Sequence, residues 1–191
     1  MNSRRRGSAH GGQAGDATGG SGGLASPPGT AALRFGVARL KRLDEVFSDH
    51  PVYFVTTCTF ERRDLLANDA VLRAVMEFGE RGPERGAWLG SFVLMPDHLH
   101  AFVALDAERC RLSAWVSGLK AVVARVLRAE GAAGPYWQKG FFDHVLRGSE
   151  SASEKWEYVR TNPVRAGLVQ QAEDWRFWGQ VHLLRSDEVG M

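Results

Sequence analysis

Three segments carry side chains whose types and spacing suit chemistry. In Met95-Pro96-Asp97-His98-Leu99-His100 two imidazoles stand two positions apart. On a strand, His98 and His100 project from one face while Leu99, Ala101 and Val103 face away. Two neutral imidazoles side by side hold a divalent cation. With carboxylate, amide or water they suit zinc, manganese or iron, and they serve magnesium when a substrate phosphate completes the sphere. By itself the pattern is short, and it also describes two half-exposed histidines hydrogen-bonded at a strand start.

The second segment is Glu154-Lys155-Trp156-Glu157-Tyr158-Val159-Arg160-Thr161-Asn162-Pro163. Of the three tyrosines, Tyr53 lies in an apolar run and Tyr136 in a Pro-Tyr-Trp turn, both ordinary packing positions. Tyr158 is surrounded by Lys155, Glu157, Arg160 and Thr161, and an i, i+4 spacing sets Asn162 beside it on a helix. A phenol with an unperturbed pKa of about 10 is a poor nucleophile near neutrality. To attack, it needs a metal-polarised phosphate or a nearby base. An amphipathic packing tyrosine, followed by a helix-ending Asn before proline, is the plainer account of the same residues.

The third segment runs Trp137-Gln138-Lys139-Gly140-Phe141-Phe142-Asp143-His144-Val145-Leu146-Arg147. Its aromatics interleaved with Lys139, His144 and Arg147 suit stacked bases with cations on the phosphates. A core edge strand that buries Trp137 and Phe142 fits the composition too. His144 suits either a phosphate contact or the orientation of a neighbouring ligand.

The elements that must position these groups follow from periodicity. Val52–Phe60, Trp88–Met95 and His98–Leu105 read as strands, the last two forming a hairpin through Met95-Pro96-Asp97. Asn68–Arg81 is a helix capped by Asn68 and stopped by Gly82-Pro83; Ser113–Glu130 is a longer one with Ser113 as cap. A short strand, Phe141–Leu146, and a helix, Ser151–Thr161, stopped near Asn162 by Pro163, complete the order. The succession β–α–β–β–α–β plus a helix predicts an α+β fold: an antiparallel sheet with helices on one face, close to a ferredoxin-like split βαβ arrangement.

At 191 residues, 44% hydrophobic and 24% charged, the chain is sized for one domain with a real core. No apolar run approaches the roughly 18 residues of a membrane span, and no apolar stretch follows the basic start as a secretory signal requires. Cys58 and Cys110 alone exclude a disulfide scaffold and a Cys-rich zinc fold. A cytoplasmic protein with no membrane partner is expected. Residues 1–30 hold 9 of the 22 glycines and few large apolar groups, which predicts a disordered leader. Residues 31–47 read as a basic extended arm, 48–180 as the folded domain and 181–191 as a tail. Residues 1–43 carry seven Lys/Arg against Asp16 alone, a net of +6, so the remainder is net −4. Polyanion binding therefore requires a local patch. Residues 113–165 supply one, with eight basic residues (Lys120, Arg125, Arg128, Lys139, Arg147, Lys155, Arg160 and Arg165) against five acidic.

Together MPDHLH, WQKGFFDHVLR and YVRTNPVRAGLV, followed by Asp174-Trp175, resemble the REP-associated tyrosine transposases. These form the single-tyrosine, IS200-like branch of transposases with a His-hydrophobic-His motif, and the resemblance covers about residues 48–180. It implies an HUH-endonuclease-like fold and a strand-transfer enzyme acting on single-stranded DNA beside an imperfect hairpin repeat. It further implies Mg or Mn held by His98, His100 and Asn162, with Tyr158 attacking the scissile phosphate to leave a 5′-phosphotyrosine and a free 3′-hydroxyl. Basic residues near the start of family members help recognise the hairpin foot, a role that falls here to Arg34, Arg39, Lys41 and Arg42. Lys120, Arg125, Lys139, His144, Arg147, Arg160 and Arg165 are the further expected DNA contacts. A monomer associated with the nucleoid is the expected state. Two other readings use the same residues: a non-catalytic hairpin-binding module, and a metal-dependent phosphodiesterase that attacks with water.

Overall fold

Strand β1, Val52–Cys58, is rich in β-branched and aromatic residues and lies inside the sheet. The computed structural model describes residues 50–184 except 147 and 148, and side chains are described outside 149–153. The expected leader and arm, with Arg34, Arg39, Lys41 and Arg42, therefore lie outside the described residues, as do Arg147 and positions 185–191.

Helix α1 is Asp69–Glu80, strand β2 Ala87–Leu94 and strand β3 His98–Leu105. Helix α2 is Leu112–Ala129, strand β4 Phe142–Leu146 and helix α3 Ser149–Arg160. The one-turn helix α4, Asn162–Arg165, and the short strand β5, Trp178–Gln180, follow. The strands pair antiparallel throughout in the order β4-β1-β3-β2-β5. This is the α+β antiparallel architecture that the order of elements predicts, with one difference: helices cover both faces rather than one, because α3 carries its own apolar residues, Trp156 and Val159, onto the face opposite α1 and α2.

Asn68 caps α1, its side chain accepting from the Val71 N–H at 2.9 Å. α2 begins one residue before the expected Ser113 cap: Arg111 holds the cap position without a side-chain bond. Apolar residues at helical spacing, Val71, Val75 and Phe78 from α1 with Trp115, Leu119 and Val123 from α2, pack on Val55, Leu99, Ala101 and Val103 of the sheet. The opposite face forms a second core, where Trp156 and Val159 of α3 meet Phe54, Phe102, Val93 and Trp175.

Three boundaries depart from the periodicity. β1 stops at Cys58 rather than running to residue 60, because Phe60–Arg62 coil into a 3-10 turn. Pro163 does not end the helical path at Asn162. It sits in the first turn of α4, where its missing N–H is tolerated. The packed domain also runs past residue 180: Val181 and His182 are buried, the His182 N–H donating to Leu89 O at 2.9 Å. β5 joins the sheet because Gly179 lets the backbone approach Phe92; a Cβ there would lie 2.8 Å from the Phe92 ring and 2.7 Å from Met76 Sδ. Among the described residues no helix is long and apolar enough to cross a membrane.

Candidate functional site: a histidine pair and a helix-borne tyrosine

β3 places His98 and His100 on one face, as the two-residue period requires. Their rings meet edge to face with centroids 4.8 Å apart, and His100 stacks on Phe54 at 5.4 Å. Each ring has one nitrogen already engaged. His98 Nδ1 lies 2.6 Å from Asp97 Oδ1, and His100 Nδ1 lies 2.8 Å from Thr56 Oγ1. Thr56 reaches His100 because β1 sets the two directly opposite each other; Cys58 lies opposite His98 in the same way. With both Nδ1 atoms in hydrogen bonds, Nε2 is the nitrogen each ring can give to a ligand.

Charge reinforces this state. Burial, joined by His98, Arg165 and Arg62, lowers the His100 pKa to about 3 despite the opposing carboxylate of Asp97. His100 is therefore a neutral donor across the physiological range.

Arg62 was not readable as a site residue. It follows Glu61 in a turn where both adopt left-handed backbone, with φ of 58° and 51°. Such conformations are costly for residues with a Cβ and concentrate at functional sites. Thr59 holds this turn against the motif turn, its N–H and hydroxyl both donating to Asp97 O at 2.9 Å. The result aims Arg62 at the site: its Nε lies 3.0 Å from Asp97 Oδ2, and it also donates to Cys58 Sγ at 2.8 Å.

α3 lies on the same sheet face. Val159 is fully buried there, and Trp156 packs against Phe102 and Trp178 with centroids 6.1 Å away in each case. Tyr158, next to Val159, is left 60% exposed. Arg165 bridges the tyrosine and Asn162. Its guanidinium lies 3.8 Å over the Tyr158 ring and donates to Tyr158 O at 2.7 Å, to Thr161 Oγ1 at 2.6 Å and to Asn162 Oδ1. Asn162 thus shares a face with Tyr158 despite the following proline, its amide oxygen held by an arginine whose charge is felt at His100.

The other expected DNA contacts divide. Lys139 and His144 are exposed, the latter on the histidine face opposite Phe54. Arg125 is exposed on α2, in the helical layer covering the other face. Lys120 turns inward: Nζ donates to Gln138 O at 3.0 Å and Gly140 O at 2.6 Å, and burial lowers its pKa. Arg160 is paired with Glu173 at 2.7 Å and Glu157 at 3.3 Å.

Among the described residues no three His, Cys, Asp or Glu side chains gather as a metal cluster. The donors that fit a cation are the two histidines, completed by oxygen from an amide, water or substrate. Fold and site together define an α+β protein that presents a histidine pair and a helix-borne tyrosine on one face of an antiparallel sheet.

The family model described as "Transposase IS200 like" matches residues 49–162, a span that includes His98, His100, Tyr158 and Asn162. The chain belongs to the IS200-like transposase family. It is 27% identical over 90 residues to the REP-associated tyrosine transposase of Escherichia coli K12, covering 47% of this chain and 52% of that protein. A Haemophilus influenzae protein is 24% identical over 94 residues, covering 44% and 53%. The chain thus spans about half the length of the curated relatives it matches. The fold is similar to that of a REP-associated tyrosine transposase solved bound to a REP hairpin, with a TM-score of 0.54, 19% identity, and coverage of 76% of this chain and 96% of that one.

Proposed function

We propose that the protein is a metal-dependent single-stranded DNA endonuclease and strand transferase that cuts beside imperfect hairpin repeats through Tyr158. The observation that carries this reading is the pairing of two oriented imidazoles with a tyrosine helix fastened to the same sheet face. The hairpin partner is supported by the similar fold that was solved on a REP hairpin. The working form is a cytoplasmic, nucleoid-associated monomer.

His98 and His100, with Asn162 as third donor, are the residues that would hold Mg or Mn, which would supply Lewis-acid polarisation of the scissile phosphate. Asp97 and Thr56 keep both Nδ1 atoms occupied and so fix the ring orientations. Arg62 and Arg165 bring two guanidinium groups to counter phosphate charge. Tyr158 Oη attacks as it loses its proton: the Oη–P bond forms, the P–O3′ bond breaks, and solvent relays the phenolic proton's equivalent to the departing O3′. The products are a 5′-phosphotyrosine and a free 3′-hydroxyl. One phosphodiester replaces another, so the energy is retained and a 3′-hydroxyl can reverse the step without ATP. Arg165 releases Asn162 when it moves onto the incoming phosphate, which couples substrate arrival to completion of the site.

Incubating the full chain with a labelled hairpin from its own genome's repeats and Mn or Mg tests the reading. Nicking with a denaturant-resistant adduct is expected, lost in His98→Ala and Tyr158→Phe. Nicking that survives Tyr158→Phe makes water the nucleophile, and binding without nicking leaves a pure hairpin-binding module.

A further inference from the structure

The face that carries the histidine pair continues across β1 to the edge strand β4. Thr56 pairs with His100 on one side and with Phe142 on the other. Directly opposed residues project to the same side, so His100, Thr56 and Phe142 form one row. Two strand spacings separate the outer members, roughly 10 Å between backbones. Phe142 is 63% exposed and makes no ring contact among the described residues. The neighbouring row holds His144, Phe54 and Phe102, with Lys155 Nζ 5.1 Å from the Phe54 ring.

A single exposed apolar side chain is ordinary on a protein surface. This one is set apart by its place, since it shares a row with a candidate metal-binding histidine and the neighbouring row carries an imidazole and, over Phe54, a lysine. An aromatic face with cations beside it is how single-stranded nucleic acid is gripped without sequence readout, because every base has a π-face.

We propose that Phe142 is a stacking platform for an unpaired nucleobase flanking the scissile phosphate, with His144 and Lys155 along the backbone path. The inference rests on the proposed function and deepens it. A base can lie on Phe142 only if it is unstacked from a partner strand, so the subsite selects single-stranded flanks and sets the strand's register over the histidine pair.

The test uses the full chain and two oligonucleotides: an imperfect hairpin with a single-stranded flank bearing 2-aminopurine, and the same hairpin cut blunt. Phe142→Ala is expected to weaken binding of the flanked hairpin about 5- to 150-fold, the usual cost of losing one base–aromatic stack. It should also relieve 2-aminopurine quenching and leave blunt-hairpin binding unchanged. Phe142→Trp should restore both affinity and quenching. An unchanged thermal midpoint is expected for each variant, as the side chain is exposed. If the wild-type chain binds the flanked hairpin and Phe142→Ala binds it equally well, the subsite is wrong while the proposed function stands. Equal weakening for both oligonucleotides also overturns the subsite. A wild-type chain that binds neither overturns both.

Discussion

Thr56→Val removes the one hydroxyl that orients His100 and changes little else, because valine matches threonine in shape. The lost contact is the 2.8 Å bond from Thr56 Oγ1 to His100 Nδ1. Such a bond contributes about 1 kcal/mol net to stability, so the fold should survive. Its larger effect is on ligand geometry and tautomer: with Nδ1 unpartnered, the proton is free to sit on Nε2, the nitrogen a cation needs. Loss of a group that orients a ligating histidine typically costs about 10- to 100-fold in metal affinity. Stacking on Phe54 at 5.4 Å still constrains the ring plane, which favours the lower end, about tenfold. Titration of the DNA-free chain with Mn, followed by the paramagnetic resonance of the free ion, reads this directly. His100→Ala should abolish specific binding and Asp97→Asn should weaken it through His98. If Thr56→Val binds Mn within twofold of wild type while His100→Ala loses binding, Thr56 does not orient the site and that argument is refuted.

Three further outcomes are expected. Arg165→Ala frees the Asn162 amide oxygen and removes a positive charge felt at His100, so Mn affinity without DNA should rise several-fold while DNA binding weakens and its salt slope falls by about 1; unchanged Mn affinity would mean that Arg165 does not compete for the site. Val159→Ala removes two buried methyl groups from the face that fastens α3 and should cost about 1.5–3 kcal/mol, with faster amide exchange in α3 than in the sheet; uniform exchange would show that α3 does not open separately. Burial holds His100, at about 3, and His182 below the ordinary imidazole pKa. The unfolded chain therefore binds more protons than the folded one below about pH 6.5, and apo stability should fall by about 1.4 kcal/mol per pH unit through His100 as pH drops toward 3, with His182 acting in the same direction. A thermal midpoint that stays flat between pH 7 and 4.5 would contradict this.

The parts legible in the sequence are those governed by local period. The helical spacing in α1 and α2 buries one face of each, and the β-branched and aromatic runs Val52–Cys58 and His98–Leu105 form strands whose two faces feed separate cores. β5 escaped because three residues, one of them Gly179, carry no period; it exists through its pairing with β2. Other features depend on distance in sequence. Thr56 orients a histidine 44 residues away, and Arg62 reaches Asp97 through a left-handed turn without glycine, which composition does not signal. Charges were easier to count than to aim. Lys120 and Arg160 look like phosphate contacts in the sequence, yet one holds backbone carbonyls and the other two carboxylates. Phe142 shows the converse, since an edge strand accepts an aromatic on either face and only the register places it in the row of His100.

The central claim is that Tyr158 itself becomes joined to DNA. Proteolysis of the chain after reaction with a flanked hairpin and Mn, followed by mass spectrometry, locates the bond. The account predicts one modified peptide, containing Tyr158 and carrying a 5′-linked nucleotide, absent in His98→Ala. Cleaved DNA with an unmodified Tyr158 peptide, or a nucleotide on any other residue, would contradict it.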